Sequence, residues 1–510
     1  MGRLGALWKS YKGVSPLIEV AGERIFRWLK WCLRLQPGPR DRQQLRQHML
    51  TTLAPRPRQA LLSQVLAMPD VLMDTKCQLI EVLGDTTTWC ADLTPGGDLF
   101  VDEVFHLYRS LTMAGLINIT HLGVMCNVHS LADRRYLPDV NSTFYRLMGH
   151  LRHMVWVTLC GVADNTMLAA LGANCHALQY LDVSSSPRVD DVGIGKLLLR
   201  GRTNLRDLSH LASAPLPPTT PCCASLSFLG VSQTEAGVAS VVLILRCLHQ
   251  VTSLGGCISD GSLVEVLQVL KAGGVADWPT SLTKLVPPSS PSTQTKFLSH
   301  PYPLLPPLLE LTINLCLRGD AEPLYEMLET RGSTLTYFVL DGNINCPLEM
   351  TFLMDATPQL RHLKACVYLG EGCEVRGWAS LASADVGVTT CKGIVALLTH
   401  SPALRRLTLS LEPEPYAETW RDLDDGVLGQ VMGGGGLEAL EQLVVTRCGV
   451  TPSGLESLML HCEHLELVAP LIQWSAITQD DLVPLRKQIA CSNWCLDLQL
   501  SLEAPLKPIT

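Results

Sequence analysis

Leu178-Gln179-Tyr180-Leu181-Asp182-Val183 runs on into Ser184-Ser185-Ser186, then Val189-Asp190-Asp191 and Gly193-Ile194. Reduced to its apolar positions, the stretch is L-x-x-L-x-L, then a small or polar turn and an acidic helix start. Alternation puts Leu181 and Val183 on one side of an extended chain and Tyr180 and Asp182 on the other, which describes a short strand with one inward face. The serines supply the turn, and the acidic pair opens a helix whose apolar side can lie back over the strand. The same order returns at Leu440, Leu443 and Val445, then Cys448-Gly449-Val450-Thr451, Gly454-Leu455, Leu458 and Cys462.

Looser copies surround these two. Leu226, Leu229 and Val231 lead to Thr234 and Gly237-Val238, Leu308, Leu311 and Ile313 to Cys316, and Leu335, Phe338 and Leu340 to Asn343. Leu360 with Leu363, and Leu404 with Leu407 and Leu409, open two more. From Leu151 to Leu178, Leu308 to Leu335 and Leu335 to Leu360 the steps are 27, 27 and 25 residues, inside the range of leucine-rich repeats. One copy cannot bury its own apolar face, so copies must stack, with parallel strands on a concave side and helices such as that of Met167, Leu168 and Leu171 outside. Cys160, Cys257, Cys316 and Cys448 fall at the turns, where a small side chain lets backbone pack tightly. The expected fold class is α/β: a leucine-rich-repeat solenoid over residues 86–500, a helical N-terminal region over 1–85 and a tail over 501–510.

Cys448-Gly449-Val450-Thr451 with Gly454-Leu455, and Val189-Asp190-Asp191 with Gly193-Ile194, resemble the cysteine-containing, ribonuclease-inhibitor-like repeats. Such repeats are common in substrate receptors of cullin–RING ubiquitin ligases. The resemblance spans roughly residues 86–500 and implies a binding protein, either such a receptor or a scaffold or inhibitor with no ligase link.

Composition limits the other classes. Of 510 residues, 47% are hydrophobic, 5% aromatic and 17% charged, and mean hydropathy is +0.20, too apolar for disorder over most of the chain. The net charge of −8 and pI near 6.0 give no global electrostatic case for nucleic acid or anionic lipid. The apolar run Val238–Leu245 ends at Arg246, far short of a membrane span. The first twenty residues lack a secretory pattern, and Met1-Gly2-Arg3-Leu4-Gly5-Ala6 carries Ala where myristoylation wants Ser or Thr. The 19 cysteines are therefore expected as reduced, buried thiols, the sequons at Asn118 and Asn141 as silent, and the protein as cytoplasmic, nuclear or both.

Two Pro/Ser-rich stretches interrupt the pattern, Ser213–Thr220 (with Pro215, Pro217 and Pro218) and Pro287–Pro307, and are expected as loops thrown out near 212–222 and 286–307. Glu412–Asp425 reads as an acidic loop or a poorly formed helix, and Gly433–Gly436 as a flexible connection.

Residues 1–85 lack the repeat and read as helices over Val14–Leu35, Asp41–Leu53, Arg56–Met68 and Lys76–Leu83, broken by Pro37, Pro39, Pro55 and Pro69. Leu17, Ala21 and Ile25 stand at i, i+4 and i+8 on one helical face. This resembles the elongin B/C-binding box, in which a Leu, a small residue (most often Cys, here Ala21) and an aliphatic residue enter an adaptor groove. Pro16, Ile25-Phe26 and Leu29 also resemble the start of an F-box. Both imply a cullin adaptor as partner; the bland reading is a helix that closes the end of the repeat core.

Catalytic motifs are missing: no P-loop, no dinucleotide fingerprint, no H-E-x-x-H and no G-x-S-x-G. Cys491 and Cys495 have no second pair for zinc, Cys222-Cys223 sit in a Pro-rich loop, His150 and His153 lie where a strand should start, and Asp424-Asp425 and Asp480-Asp481 read as solvated turns. No enzyme activity, cofactor or metal is expected. The residues between the repeat leucines are the candidate site for a protein target: Tyr180, Asp182 and Ser184; Tyr337, Val339 and Asp341; His362 and Lys364; Arg406 and Thr408; Gln442 and Val444.

Overall fold

Prolines open the first helices. Pro39 and Pro55 each stand in a first helical turn, where a missing N–H loses nothing. In this computed structural model the described residues are 15–35, 38–126, 142–145, 147, 151–201, 204–253, 266, 269, 272, 283–285, 307–315, 322–342, 347–369, 377–388, 391–410, 423–446, 448–492, 494 and 496–501. Backbone packing divides the chain into two units, Met1–Leu282 and Thr283–Lys507.

The first unit begins with α1 (Ser15–Leu35), α2 (Pro39–Thr52), α3 (Pro55–Ala67) and α4 (Met73–Leu83), close to the spans expected from sequence. Gln59 ties α3 to the first strand: its Nε2 donates to the Cys90 carbonyl at 2.9 Å, and its Oε1 accepts from the Trp89 N–H at 3.1 Å. Then come β1 (Cys90–Asp92), α5 (Val101–Met113), β2 (His121–Met125), β3 (Trp156–Cys160), α6 (Asn165–Asn174), β4 (Tyr180–Asp182), α7 (Asp191–Leu198), α8 (Leu208–Ser213), β5 (Phe228–Gly230) and α9 (Val238–Cys247). The five strands pair in sequence order, all parallel. Leu122, Val157, Leu181 and Leu229 lie side by side across the sheet, each with no exposed surface.

The second unit repeats the plan with β6 (Lys284–Leu285), β7 (Glu310–Leu315), α10 (Glu322–Arg331), β8 (Tyr337–Gly342), β9 (Leu348–Glu349), α11 (Met350–Ala356), β10 (His362–Tyr368) and β11 (Ser383–Val388). It continues through α12 (Cys391–Thr399), β12 (Arg406–Ser410), α13 (Asp425–Gly433), β13 (Gln442–Thr446), α14 (Pro452–His461), β14 (Leu467–Ala469), α15 (Gln479–Ser492) and β15 (Asp497–Leu498). These strands again pair in parallel in chain order, with β9 joining β10 on the side. Leu311, Phe338, Leu363, Ala384, Leu407 and Leu443 form its inward row, all buried. The fold class is α/β with parallel sheets, and among the described strands neither sheet closes into a barrel.

Three helix starts are each linked to a later one, α8 being passed over between α7 and α9. The Asn165 Oδ1 of α6 accepts from the Asp190 N–H at 3.1 Å, just ahead of α7. Asp191, first in α7, accepts from the Gly237 and Ser240 N–H groups at 2.8 and 3.0 Å at the start of α9. Asp425, first in α13, accepts from the Thr451 N–H at 2.9 Å ahead of α14. Each acceptor therefore serves a free N–H at a later helix start, and Asp191 and Asp425 bring negative charge where it is favoured. Gly193 and Gly454 make room: a Cβ there would stand 2.0 Å from Asn165 Oδ1 and Asp425 Oδ1 respectively.

Several expectations need correction. Asp424 and Asp425 are no solvated turn. The Asp424 side chain caps α13 by accepting from the Val427 N–H at 2.9 Å, and Asp425 makes the bond to Thr451. Asp480 and Asp481 lie in the first turn of α15. Gly433–Gly436 is the stop of α13: Gly435 takes φ +77°, and the Gly436 N–H donates to the Val431 carbonyl at 3.0 Å. Around 212–222 the chain is tied down, since the Thr220 N–H donates to the Leu198 carbonyl at 2.8 Å and Cys222 and Cys223 are buried. The step from Leu151 to Leu178 is not the repeat spacing. Val157 pairs with Leu181, so Met154 is the counterpart of Leu178, 24 residues away. Leu151 and Met154 are both fully buried, and the flexible Met fills the place of a Leu. Residues 286–306, 411–422, Cys257, Cys316, Cys495 and His150 lie outside the described residues.

Gly193→Ala and Gly454→Ala should each lower stability by about 1–3 kcal/mol, because the added methyl overlaps the linking acceptor. Gly429→Ala is the control. Nothing lies within 4 Å of its would-be Cβ inside α13, so about 0.4–1 kcal/mol of stabilisation is expected. Leu443, 2% exposed in β13, should lose well over ~1 kcal/mol on change to Asp. Thermal and urea melts read all four; equal losses at Gly193 and Gly429 would refute the linking role.

Candidate functional site

Residues whose neighbours point inward must point outward, so each sheet presents an open face. In the first unit the outward row runs His121, Trp156, Tyr180, Phe228 by strand register. Trp156 stacks on Tyr180 with ring centres 3.5 Å apart and planes within 7°, and Tyr180 stacks on Phe228 at 4.1 Å and 3°. Burial, then Asp182 and Cys160, push the Tyr180 phenol up. Burial holds the His121 imidazole below its usual value, with Asp92 pulling the other way. Trp89 meets His121 edge-on at 5.5 Å.

Beside this row runs a second, Asp92, Gly123, Thr158, Asp182 and Gly230. Asp182 Oδ1 accepts from the Ser184 N–H at 3.0 Å and the Ser184 hydroxyl at 2.6 Å. Asp92 repeats this with Thr94, at 3.0 and 2.6 Å. Asp182 thus has a structural task in the turn after its strand, which its outward position alone did not reveal.

In the second unit the outward row is Lys284, Glu310, Tyr337, His362, Ser383, Arg406 and Gln442. Tyr337 and His362 stack at 4.3 Å with planes 15° apart, Lys284 Nζ lies 5.7 Å from the Tyr337 ring centre, and Lys284 pairs with Glu310 at 2.8 Å. One step along each strand, Lys364 faces Asp385 at 4.0 Å. Burial, then the Lys364 charge, hold the His362 imidazole below its usual value. Gln442 Oε1 is buried with no hydrogen-bond partner among the described residues.

Tyr337, His362, Arg406 and Gln442 therefore share one row with Lys364 beside it, while Tyr180 and Asp182 belong to the face of the other unit. The row expected from Tyr180 to Gln442 is seen as one row in each unit. Spacing alone missed His121, Trp156 and Phe228 on the first face and Lys284, Glu310 and Asp385 on the second. Phe228 was readable between Leu226 and Leu229, whereas Trp156 was hidden by the misplaced Leu151 anchor. Side chains of Leu17, Ala21 and Asp341 lie outside the described residues.

Ile25, the remaining member of the adaptor-box pattern, is half-buried on α1, and its neighbours Phe26, Leu29, Cys32 and Leu33 are buried. On the other side of the helix Arg24, Trp28 and Trp31 are exposed, the tryptophans by 42% and 59%. Elsewhere in the first unit, a cleft of about 700 Å³ is lined by Arg42, Arg46, Glu81 and His106. Its charges are largely spoken for, with Arg42 paired to Glu81 at 3.4 Å and Arg46 donating to the Ala114 carbonyl at 3.0 Å.

No family model and no curated relative matches the chain. Similar solved structures include the yeast Rad7 and Elc1 complex, at 12% identity over 98% of this chain and 97% of that one, TM-score 0.35. A Bacteroides fragilis protein is 14% identical over 42% of this chain and 74% of its own, TM-score 0.25. The Drosophila Toll–Spatzle complex is 12% identical over 71% of this chain and 41% of that one, TM-score 0.27. With all three scores this low, function has to be read from the chain's own residues.

His362 supplies a pH test. A fold that disfavours its charged form contributes stability that is full above the unfolded value, near 6.5, and is lost as pH falls from there through the lower folded value. NMR titration should place the His362 imidazole below that value, and Lys364→Met should raise it by removing one of the two causes. An unchanged titration in Lys364→Met would remove Lys364 from the account.

Proposed function

We propose that the chain is a leucine-rich-repeat solenoid that binds a protein target on its strand faces and serves as a substrate-recognition subunit of a cullin–RING ubiquitin ligase. The solenoid reading is supported by parallel strands pairing in chain order and by the links between helix starts. One observation carries protein binding: large side chains, half-exposed and in register, line the outward rows, among them Tyr180, Tyr337, His362 and Arg406. Tyr, Trp and Arg in such a row are the residues that anchor protein interfaces. No catalytic step is part of this reading, and the place of action is the cytoplasm, the nucleus or both.

The adaptor side rests on α1. Leu17, Ala21 and Ile25 fall one helical turn apart within Ser15–Leu35, and exposed Trp28 and Trp31 give the same helix an unburied aromatic stripe. An amphipathic helix entering a groove uses such spaced anchors. The half-burial of Ile25 favours the rival, in which α1 closes the helical end and the protein is a scaffold or inhibitor.

Co-expression decides between them. The full chain should co-purify with elongin B/C, Leu17→Asp should abolish that, and Ala21→Cys should preserve or strengthen it. Failure of the wild-type chain to capture the adaptor, or equal capture by Leu17→Asp, would leave the scaffold reading.

A further inference from the structure

The two strand faces differ in charge. On the second, Lys284 and Lys364 stand against Glu310 and Asp385. On the first, among the described residues, the outward rows of β1–β5 hold Asp92 and Asp182 and no Lys or Arg. Neither carboxylate has a cationic side chain within ion-pair distance among the described residues. Asp98 adds to the same field, since its charge joins that of Asp182 in raising the Cys160 thiol, after burial.

From this geometry we infer that the first face receives an extended, basic segment of a partner protein, its Lys or Arg heads beside Asp92 and Asp182 and their stems along the Trp156–Tyr180–Phe228 stack. The inference rests on the reading that the strand faces bind protein, and it names the chemistry of the partner.

The aromatic row is rigid before binding, because each ring is held against the next at 3.5 and 4.1 Å. Docking against it therefore freezes little side-chain motion. Long basic side chains are suited to it, since their methylene stems cover apolar surface while their heads seek an acid. The carboxylates are equally fixed, each by two hydrogen bonds from a Thr94 or Ser184 turn. Between them lie Gly123 and Thr158, and Gly230 comes next. The Asp92 and Asp182 carboxylates lean over Gly123 and Gly230, their Oδ1 atoms 2.0 and 2.6 Å from where a Cβ would stand, so both heads remain three strand steps apart beside the aromatic ridge.

Spacing sets the period of the partner. Asp92 and Asp182 are on β1 and β4, three strand steps apart, which is about 14 Å at the usual strand separation. An extended chain rising about 3.3 Å per residue covers that in roughly four residues. The partner segment should thus carry Lys or Arg at i and i+4 and cross the strands. Acidic segments and nucleic-acid phosphates are disfavoured by the same charges.

The test uses the full chain and fluorescein-labelled synthetic peptides in a Gly/Ser background, read by anisotropy. A peptide with arginines at i and i+4 should bind and should weaken as salt rises. The same peptide with glutamates should fail, and arginines two residues apart should bind less well. The doubly substituted Asp92→Asn/Asp182→Asn chain keeps the Oδ1 acceptors for Thr94 and Ser184 and removes only the charge. It should bind at least tenfold more weakly with an unchanged melt, whereas Asp480→Asn, an exposed carboxylate in the first turn of α15 away from either strand face, should leave binding as it was. Equal binding of arginine and glutamate peptides, unaltered affinity in the Asn pair, or no binding at all would overturn the inference. Adaptor co-purification is read separately, so the ligase reading stands or falls on its own result.

Discussion

A helix start exposes N–H groups that need acceptors, and here part of the acceptor set comes from an earlier helix. Asn165, Asp191 and Asp425 each occupy the first position of one helix, and each accepts from the N–H that precedes a later one. Burial of the alternating inward residues sets the strand register, and at these three places the shared hydrogen bond holds one helix start at a fixed offset from a later one. The glycines at 193 and 454 belong to this device, as does Ser240, which stands at the matching position of α9 and donates to Asp191 instead of making way for it.

Once the offset is fixed, the two sides of each strand have separate tasks. Inward residues such as Leu181 and Leu443 are buried and interchangeable in kind with Val, Phe or Ala along their rows. Outward residues are held by their neighbours in the row or by the turn after their own strand, so rings stack where rings adjoin and charges pair where opposite charges adjoin. The chemistry of a face is therefore free to differ from one unit to the other without disturbing either core. An acidic, aromatic face and a mixed-charge face on one scaffold express that freedom.

Much of this was legible in the residues. The strands at Tyr180, Tyr337 and Gln442 begin where L-x-x-L-x-L places them, because alternation and burial are both local properties. What could not be read is whatever depends on a partner far along the chain. Asp424 and Asp425 look like solvent-loving turn residues until Val427 and Thr451 are brought beside them. Asp182 reads as a binding residue because nothing in its own position announces the bond to Ser184 as its first task. Trp156 joined the aromatic row only when pairing set Val157, and not a residue three earlier, against Leu181. The exposed Trp28 and Trp31 escaped notice because a helix rich in apolar residues does not say which of its sides is already occupied.

The cysteines belong to the same logic. Cys175 and Cys462 both stand at the position that ends a helix, in α6 and α14, and the Cys175 thiol donates to the Leu151 carbonyl at 3.5 Å. The Cys448 thiol does likewise with the Leu423 carbonyl at 3.4 Å. At these corners one copy's backbone crosses close to the next, leaving room for a side chain little larger than Ala that can still satisfy a carbonyl. Burial pushes the thiols of Cys77, Cys90, Cys175, Cys247 and Cys462 up to about 12, which removes the thiolate on which disulfide exchange and metal binding depend. The cysteines at these corners are a consequence of the geometry of stacking, whereas Cys32 and Cys77 are buried within the first helices.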